Sequence, residues 1–298
     1  MDRLDAYRLF IRAAETGSFS KAAAEANVGQ PVASRVISGL EGRLGVRLFN
    51  RTTRSLSLTE AGQLALEAAR ALLEANDHLE SSVKGGDRTP VGLLRVSASV
   101  AFTRSELSRA LPSFLAAYPH VRLDLLGRDD RVDMVSEGVD LALRLGELED
   151  SSLRAKKLGT YPRIVVGAPD LLARQGMPSQ PAELSAMRCI VFTTTPYGAV
   201  WPLLRDGVRM DIEIDGDVKS SNGEVMRDFL LAGLGLGMVP EFLARRELAD
   251  GSLVRVLPEW AGPPVPLHAL WSGRELPRKA RVFLDHVIPH LSVSEAAR

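Results

Sequence analysis

Ser18-Phe19-Ser20-Lys21-Ala22-Ala23-Ala24-Glu25-Ala26-Asn27-Val28-Gly29-Gln30-Pro31-Val32-Ala33-Ser34-Arg35-Val36-Ile37 decides how the chain is organised. It reads as two short helices joined by a tight turn. Ser18 or Ser20 can cap the first helix, whose three consecutive alanines leave no side chain bulky enough to hold a neighbouring helix away. Asn27-Val28-Gly29 breaks it with residues that tolerate turn geometry. Gln30-Pro31 restarts it, since proline is pre-set for the first helical turn, where its missing N–H costs nothing. Two helices around such a turn, the second opening with polar groups, make a helix-turn-helix whose second helix can lie in the major groove. The alternative is an ordinary helical hairpin in a core. Against it, Val28, Val32, Val36, Ile37 and Leu40 already form one apolar face. Gln30, Ser34, Arg35, Ser38 and Arg43 remain on the other, all donors able to reach phosphate or bases.

Downstream, Gly45 stops the second helix. Val46, Leu48 and Phe49 alternate as a short strand, Arg51-Thr52-Thr53-Arg54 forms a polar tip, and Ser55-Leu56-Ser57-Leu58 alternates again. This is a two-stranded wing. Between Gln30 and Leu58 five arginines face one glutamate, while the whole chain has formal charge +0. Positive charge is therefore concentrated where a nucleic-acid face is expected.

Residues 1–62 resemble the winged helix-turn-helix of LysR-type transcriptional regulators. The pattern matches at Phe10, Ala22-Ala23, Gln30-Pro31, Ser34-Arg35, Ile37, Leu40-Glu41, Leu44-Gly45, Leu48-Phe49, Arg51 and Leu58-Thr59-Glu60-Ala61-Gly62. The resemblance implies that Gln30, Pro31, Ser34 and Arg35 face the major groove. It further implies that Arg51 sits near phosphate and that the tip carrying Thr53 and Arg54 approaches the minor groove. Two positions depart from the pattern. Gly29 stands where a serine cap is usual, a loss of a few tenths of a kcal/mol. Gly39 and Gly42 fall late in the recognition helix, each costing up to about 1 kcal/mol relative to alanine.

The 298 residues are too many for one DNA-binding module and suit two or three domains. The start Met1-Asp2-Arg3-Leu4-Asp5 has no apolar run behind it, so no secretory signal or membrane span is expected. A single cysteine excludes an internal disulfide and fits a reducing cytoplasm.

A long helix is expected from Thr59 to about Val83, with Thr59 as cap and Glu60 complementing the dipole. Leu64, Ala68, Leu72, Ala75, Leu79 and Val83 recur along it every three or four residues. With no partner helix nearby in sequence, this stripe is best buried against a copy of itself, and family resemblance also implies dimerisation here. Lys84-Gly85-Gly86-Asp87-Arg88-Thr89-Pro90 ends it as a hinge.

From Val91 strands and helices alternate, with strands at Gly92–Ala98, Val121–Gly127, Val139–Gly146, Arg163–Gly167, Cys189–Phe192, Gly235–Val239 and Pro266–Trp271. Helices are expected over Arg104–Tyr118 (opened by a Thr103–Glu106 capping box), Pro169–Gln175, Glu224–Ala232 and Arg278–His290. The two α/β units resemble the periplasmic-binding-protein-like effector domain of the same family. Ala98–Phe102 and Leu148–Leu153 are similar to its CrgA-type subgroup. The expected fold class is thus α/β: a winged helix-turn-helix (1–58), a linker helix and hinge (59–88), and a two-subdomain effector domain (89–298). Subdomain I spans about 89–161 and 266–292, and subdomain II about 162–265.

In such folds ligands sit at the C-terminal ends of parallel strands near helix N-termini. Three donor-rich loops qualify: Ser99 to Thr103, Thr193-Thr194-Thr195, and Ser220 to Gly223. Any of these residues can equally be a turn or cap residue. Ser99, Thr193, Thr194 and Asn222 are the candidate hydrogen-bonding groups for a small carboxylate, with Val100 and Phe102 on the apolar side. Arg128 can supply positive charge; Arg144 can do so too or pair with neighbouring aspartates.

Gly233-Leu234-Gly235-Leu236-Gly237 follows a helix instead of a strand and is a poor nucleotide loop. The five histidines lack metal spacing, so no metal and no cofactor is expected. Cys189 reads as a small buried hydrophobe. The expectation is a cytoplasmic regulator that binds an interrupted inverted repeat in double-stranded DNA and senses a small molecule, with no membrane partner. It is expected to dimerise, with a homotetramer implied by resemblance. The alternative is a metabolic enzyme or solute-binding module with an accessory DNA-binding domain, but no nucleophile–base pair or metal cluster is visible.

Overall fold

The computed structural model describes residues 2–51, 56–83, 90–130, 132–148, 151 and 153–295, and side chains throughout these except at 51, 74, 75, 77–83 and 295. Two compact units emerge, Met1–Thr89 with Asp133–Gly138, and Pro90–Val132 with Val139–Arg298.

The first unit begins with α1 (Arg3–Thr16), opened by a reciprocal capping box between Asp2 and Asp5. Next come α2 (Phe19–Glu25) and α3 (Gln30–Leu44), the antiparallel strands β1 (Phe49–Arg51) and β2 (Leu56–Leu58), and α4 (Glu60–Val83). Ser18 caps α2, its hydroxyl accepting from the Lys21 N–H at 3.3 Å. Ala22 and Ala23 are buried, and with Leu9, Phe10, Ile37, Leu40 and Leu48 they form the core around Phe49. The Phe49 ring meets Phe10 and Phe19 edge-on at 5.5 and 5.3 Å.

Three expectations change here. Val32 is 43% exposed and Ala33 takes the buried place, because the helical stripe passes through 33, 37 and 40. Val46 is 45% exposed and precedes the strand, which starts at Phe49. Gly39 and Gly42 leave α3 unbroken as far as Gly45, whose φ of +71° ends it.

The second unit contains β3 (Gly92–Ala98), α5 (Val100–Phe102), α6 (Ser108–Ala117), β4 (Val121–Gly127), β5 (Leu141–Leu145) and β6 (Arg154–Gly167). Then follow α7 (Pro169–Gln175), β7 (Arg188–Phe192), β8 (Val200–Arg205), β9 (Val208–Glu213), β10 (Asp215–Ser220) and α8 (Gly223–Leu231). The last elements are β11 (Leu236–Pro240), α9 (Glu241–Asp250), β12 (Val254–Val256), β13 (Gly262–Trp271), α10 (Arg278–Val287) and β14 (Ser294–Glu295).

One sheet runs in the order β10-β7-β11-β6-β13-β5-β3-β4, with β12 and β14 also on β6. β3 is parallel to β4 and β5, and β7 is parallel to β10 and β11. β6 and β13 pair antiparallel along their length, so each expected subdomain boundary falls inside a continuous strand. β5 borders β13 and β11 borders β6 on the outer sides of this pair.

The Thr103–Glu106 capping box does not form. The helical run starts earlier, at Val100, and continues through a π-turn at Thr103–Leu107 into α6. Ser99 is its cap, the hydroxyl accepting from the Phe102 N–H at 3.3 Å. Glu106, 1% exposed, accepts instead from the Tyr161 hydroxyl at 3.0 Å, from Arg245 at 2.6 Å, and from the Ser292 N–H and hydroxyl at 2.9 and 2.8 Å. The sequence reading also lacks α9, β10 and the β8–β9 hairpin. The hairpin has a readable signal: Asp206-Gly207 between apolar runs, with both φ positive at +49° and +80°.

Candidate nucleic-acid interface and ligand cleft

In the first unit, α3 is fixed from behind and bare in front. Ala33, Ile37 and Leu40 anchor it. Gly29 begins it without a side-chain cap, and Asn27 at φ +53° makes the preceding turn. Gln30, Pro31 and Arg35 are exposed and Ser34 is half-buried. Val32 is exposed among them, although the four-residue spacing of Val28, Val32 and Val36 reads as one buried face. Its methyl groups suit contact with a thymine methyl. Arg43 is drawn back over the Tyr7 ring, 5.8 Å from its centroid.

The wing is tied to α3 by Glu41. Its carboxylate accepts the Leu48 and Phe49 N–H groups at 2.9 and 3.2 Å, so the lone acid of this basic stretch serves as a clasp. Arg51 ends β1 opposite Leu56; its side chain, and Thr53 and Arg54 entirely, lie outside the described residues.

At the entry to α4, the Thr59 hydroxyl donates to the Arg47 carbonyl at 2.7 Å and accepts the Gly62 N–H at 2.9 Å. Gly62 presses on β1's approach: a Cβ there would lie 2.1 Å from the Leu48 carbonyl oxygen. Along α4, Leu66 and Ala69 are buried in the unit, whereas Leu64 is 67% exposed, Leu72 43%, and Ala68 exposed on the same side. The side chains of Ala75 and Leu79 lie outside the described residues.

In the second unit, the loops after β3 and β10 meet. The Asn222 Oδ1 accepts from the Glu224 and Val225 N–H groups at 2.9 and 3.0 Å, capping α8. Its Nδ2 donates to Asp129 at 2.5 Å. Asp129 also accepts from the Val100 N–H, so a protein carboxylate occupies the position expected for a ligand's. Burial pushes the Asp129 carboxyl up, against Val100, Asn222 and Arg144, which favour its charge. Close approach of α8 to α5 needs Gly223, where a Cβ would come within 2.9 Å of the Ala101 Cβ.

Arg144 donates to the Ser97 hydroxyl at 3.2 Å and to the Asp130 carbonyl at 3.3 Å. Arg128 pairs with Asp130 at 3.4 Å. Burial and the neighbouring Arg128 lower the Arg144 pKa, partly offset by Asp130 and Asp129. Both arginines are thus balanced by adjacent aspartates. Val100 is 37% exposed, on the open side. Phe102 is not: it is fully buried against Tyr161 and Phe242, at 6.1 and 5.8 Å between ring centroids, and supports the loop from beneath. Thr193 is bound back to the Ser220 carbonyl through its N–H at 2.9 Å, and Thr194 is exposed.

Cys189 is buried, 2% exposed, and desolvation pushes its thiol up to about 12. Among the described residues no three metal-ligating side chains cluster, and no helix is long and apolar enough to cross a membrane.

Two family profiles match: "Bacterial regulatory helix-turn-helix protein, lysR family" over residues 4–63, and "LysR substrate binding domain" over residues 87–292. The chain is 33% identical over 285 residues to the HTH-type transcriptional regulator CrgA of Neisseria meningitidis, covering 95% of each. It is likewise 33% identical to the HTH-type transcriptional regulator PtxR of Pseudomonas aeruginosa, over 95% of this chain and 91% of that one. The solved structure of CrgA from Neisseria meningitidis, titled a LysR-type transcriptional regulator, superposes with a TM-score of 0.61 at 32% identity, over 97% of this chain and 98% of that one.

Proposed function

Because this chain belongs to the LysR family of transcriptional regulators, we propose that α3 reads an operator through Gln30, Pro31, Ser34 and Arg35 while the cleft of the second unit senses a small carboxylate. In that family the first unit is a DNA-binding helix-turn-helix and the second an effector-binding domain, and the protein is a regulator and not an enzyme. The observation that carries the reading is the contrast across α3. Its inward face is closed by Ala33, Ile37 and Leu40, and its N-terminal half exposes the Gln30 amide and the Arg35 guanidinium. Arg51, Thr53 and Arg54 are assigned to backbone and minor-groove contacts by family resemblance.

The functional unit is a homodimer joined through Leu64, Ala68 and Leu72 and, by continuation of the heptad-like stripe, Ala75 and Leu79. Burying each exposed leucine contributes about 1.5–3 kcal/mol, which favours covering this face. Assembly into a tetramer follows the family. Two recognition helices related by a twofold read an interrupted inverted repeat whose half-sites lie whole helical turns apart. Ser99 and Asn222 are held by helix termini and Asp129, so a small carboxylate enters beside the exposed Thr194 hydroxyl, with Val100 on the apolar side. The effector acts by binding two arrangements of the dimer unequally. The setting is cytoplasmic.

Sequencing the DNA that co-purifies with the full chain, followed by footprinting, tests this reading. Two protected half-sites on one face of the duplex are expected, and Leu72→Glu should protect at most one and scatter light as a monomer. Protection of a single site by the wild type, or unchanged assembly of Leu72→Glu, contradicts the dimer.

A further inference from the structure

Arg163 on β6 differs from every cation considered for the cleft. It is 6% exposed, and its Nε and Nη1 have no hydrogen-bond partner among the described residues. Nor does any described carboxylate lie within ion-pair distance of it. Its guanidinium lies over the Tyr197 ring, 5.2 Å from the centroid, and its stem runs beside the site of Gly262, where a Cβ would come 3.0 Å from the Arg163 Cδ. Desolvation lowers its pKa, and only Tyr197 opposes that, through its charge and a side-chain hydrogen bond that leaves Nε and Nη1 unmet.

A buried cation left in this condition is costly, and such groups ordinarily have a partner. Its place in the sheet indicates what the partner is. Arg163 is paired with Pro240, the C-terminal residue of β11, and with Gly262, the first of β13. β11 is parallel to β7, so Arg163 stands at the level where β7 gives way to Thr193. It therefore lies at the ligand-facing ends of parallel strands, beneath the Thr193–Tyr197 loop. Arg128 and Arg144 lie at the facing strand ends and are already balanced by Asp129 and Asp130.

From this geometry we infer that Arg163, covered by Tyr197, is the cation that receives the effector's carboxylate. The inference rests on the second unit being an effector domain. It adds the residue that selects an anion, which Asn222 and Ser99 cannot do while bound to Asp129 and the helix termini. Tyr197 shields the guanidinium from water, which strengthens its attraction for an entering anion, and its ring stacks on an aromatic acid.

The test uses the full chain with acetate, succinate and benzoate at constant ionic strength against chloride, read as the shift in thermal midpoint and then by calorimetry. At least one carboxylate should raise the midpoint of the wild type. Arg163→Met keeps the stem and removes the charge. It should have a midpoint without carboxylate at or above the wild type's, and affinity for that carboxylate about 10-fold weaker or more. Arg128→Met should keep the response. If Arg163→Met does not fold, Arg163→Gln is read in the same way. A full response in the neutral variant overturns the assignment. If Asn222→Ala then abolishes the response, the carboxylate-sensing cleft stands without Arg163. No response of the wild type to any of the three overturns both.

Discussion

Gln30, Pro31 and Arg35 stand clear of the first unit's core, whereas Asn222, Asp129 and Arg144 in the second unit are bound to one another's surroundings. In the first region the groups proposed to read DNA are ones that the core leaves exposed, set on a helix held by three buried residues. In the second the same residue types close a fold whose partners lie far apart in sequence, as with Glu106, Tyr161, Arg245 and Ser292. A DNA face must be open before its ligand arrives. A small-molecule cleft can be held shut by its own side chains until a competing group enters.

The largest test of this contrast is Glu106→Ala. It leaves the buried Tyr161 hydroxyl without its acceptor and frees the half-buried Arg245 and the exposed Ser292 to water, and it should destabilise the second unit by about 2–3 kcal/mol in urea unfolding, with little effect on the operator affinity of the folded protein. Burial tends to raise the Glu106 pKa, but Ser292 and Arg245 outweigh it and hold the carboxyl below the usual range. Its stabilisation is therefore fully present at neutral pH and lost as pH falls through that depressed value. Glu106→Gln should flatten the acid limb of the stability curve; an unchanged limb would show that the network does not control it.

In the first unit, Gly62→Ala forces a methyl against the Leu48 carbonyl and should cost about 1–3 kcal/mol. Gly39→Ala meets nothing within 4 Å and should instead stabilise the protein by up to about 1 kcal/mol, through helix propensity alone. Opposite signs for these two glycines, measured in one urea series, would confirm that α3 is tolerant where α4's entry is not. Two losses of similar size would mean that Gly39 is constrained by something other than packing.

Legibility in the sequence follows the same division. The helix-turn-helix depends on contacts within some forty residues, so its caps, turn and polar face can be read directly, with only Val32 and Val46 placed on the wrong side. The α/β class could also be read, from alternating strands and helices. β6 and β13 could not be seen as continuous strands, because their pairing joins positions a hundred residues apart. Ser99 and Asn222 were readable equally as ligand donors or as caps, and it takes the bonds to the Phe102, Glu224 and Val225 N–H groups to decide for caps. Arg163 sits in Tyr161-Pro162-Arg163-Ile164 and resembles any strand arginine until its burial is known.

The central claim is that the exposed N-terminal half of α3 reads DNA. It is tested most directly by titrating the co-purified operator with wild type and Arg35→Ala, followed by anisotropy at fixed salt. The account predicts a loss of about 1–3 kcal/mol for the operator with little change for unrelated DNA, in a protein of unaltered thermal midpoint. Operator affinity equal to the wild type's would contradict it.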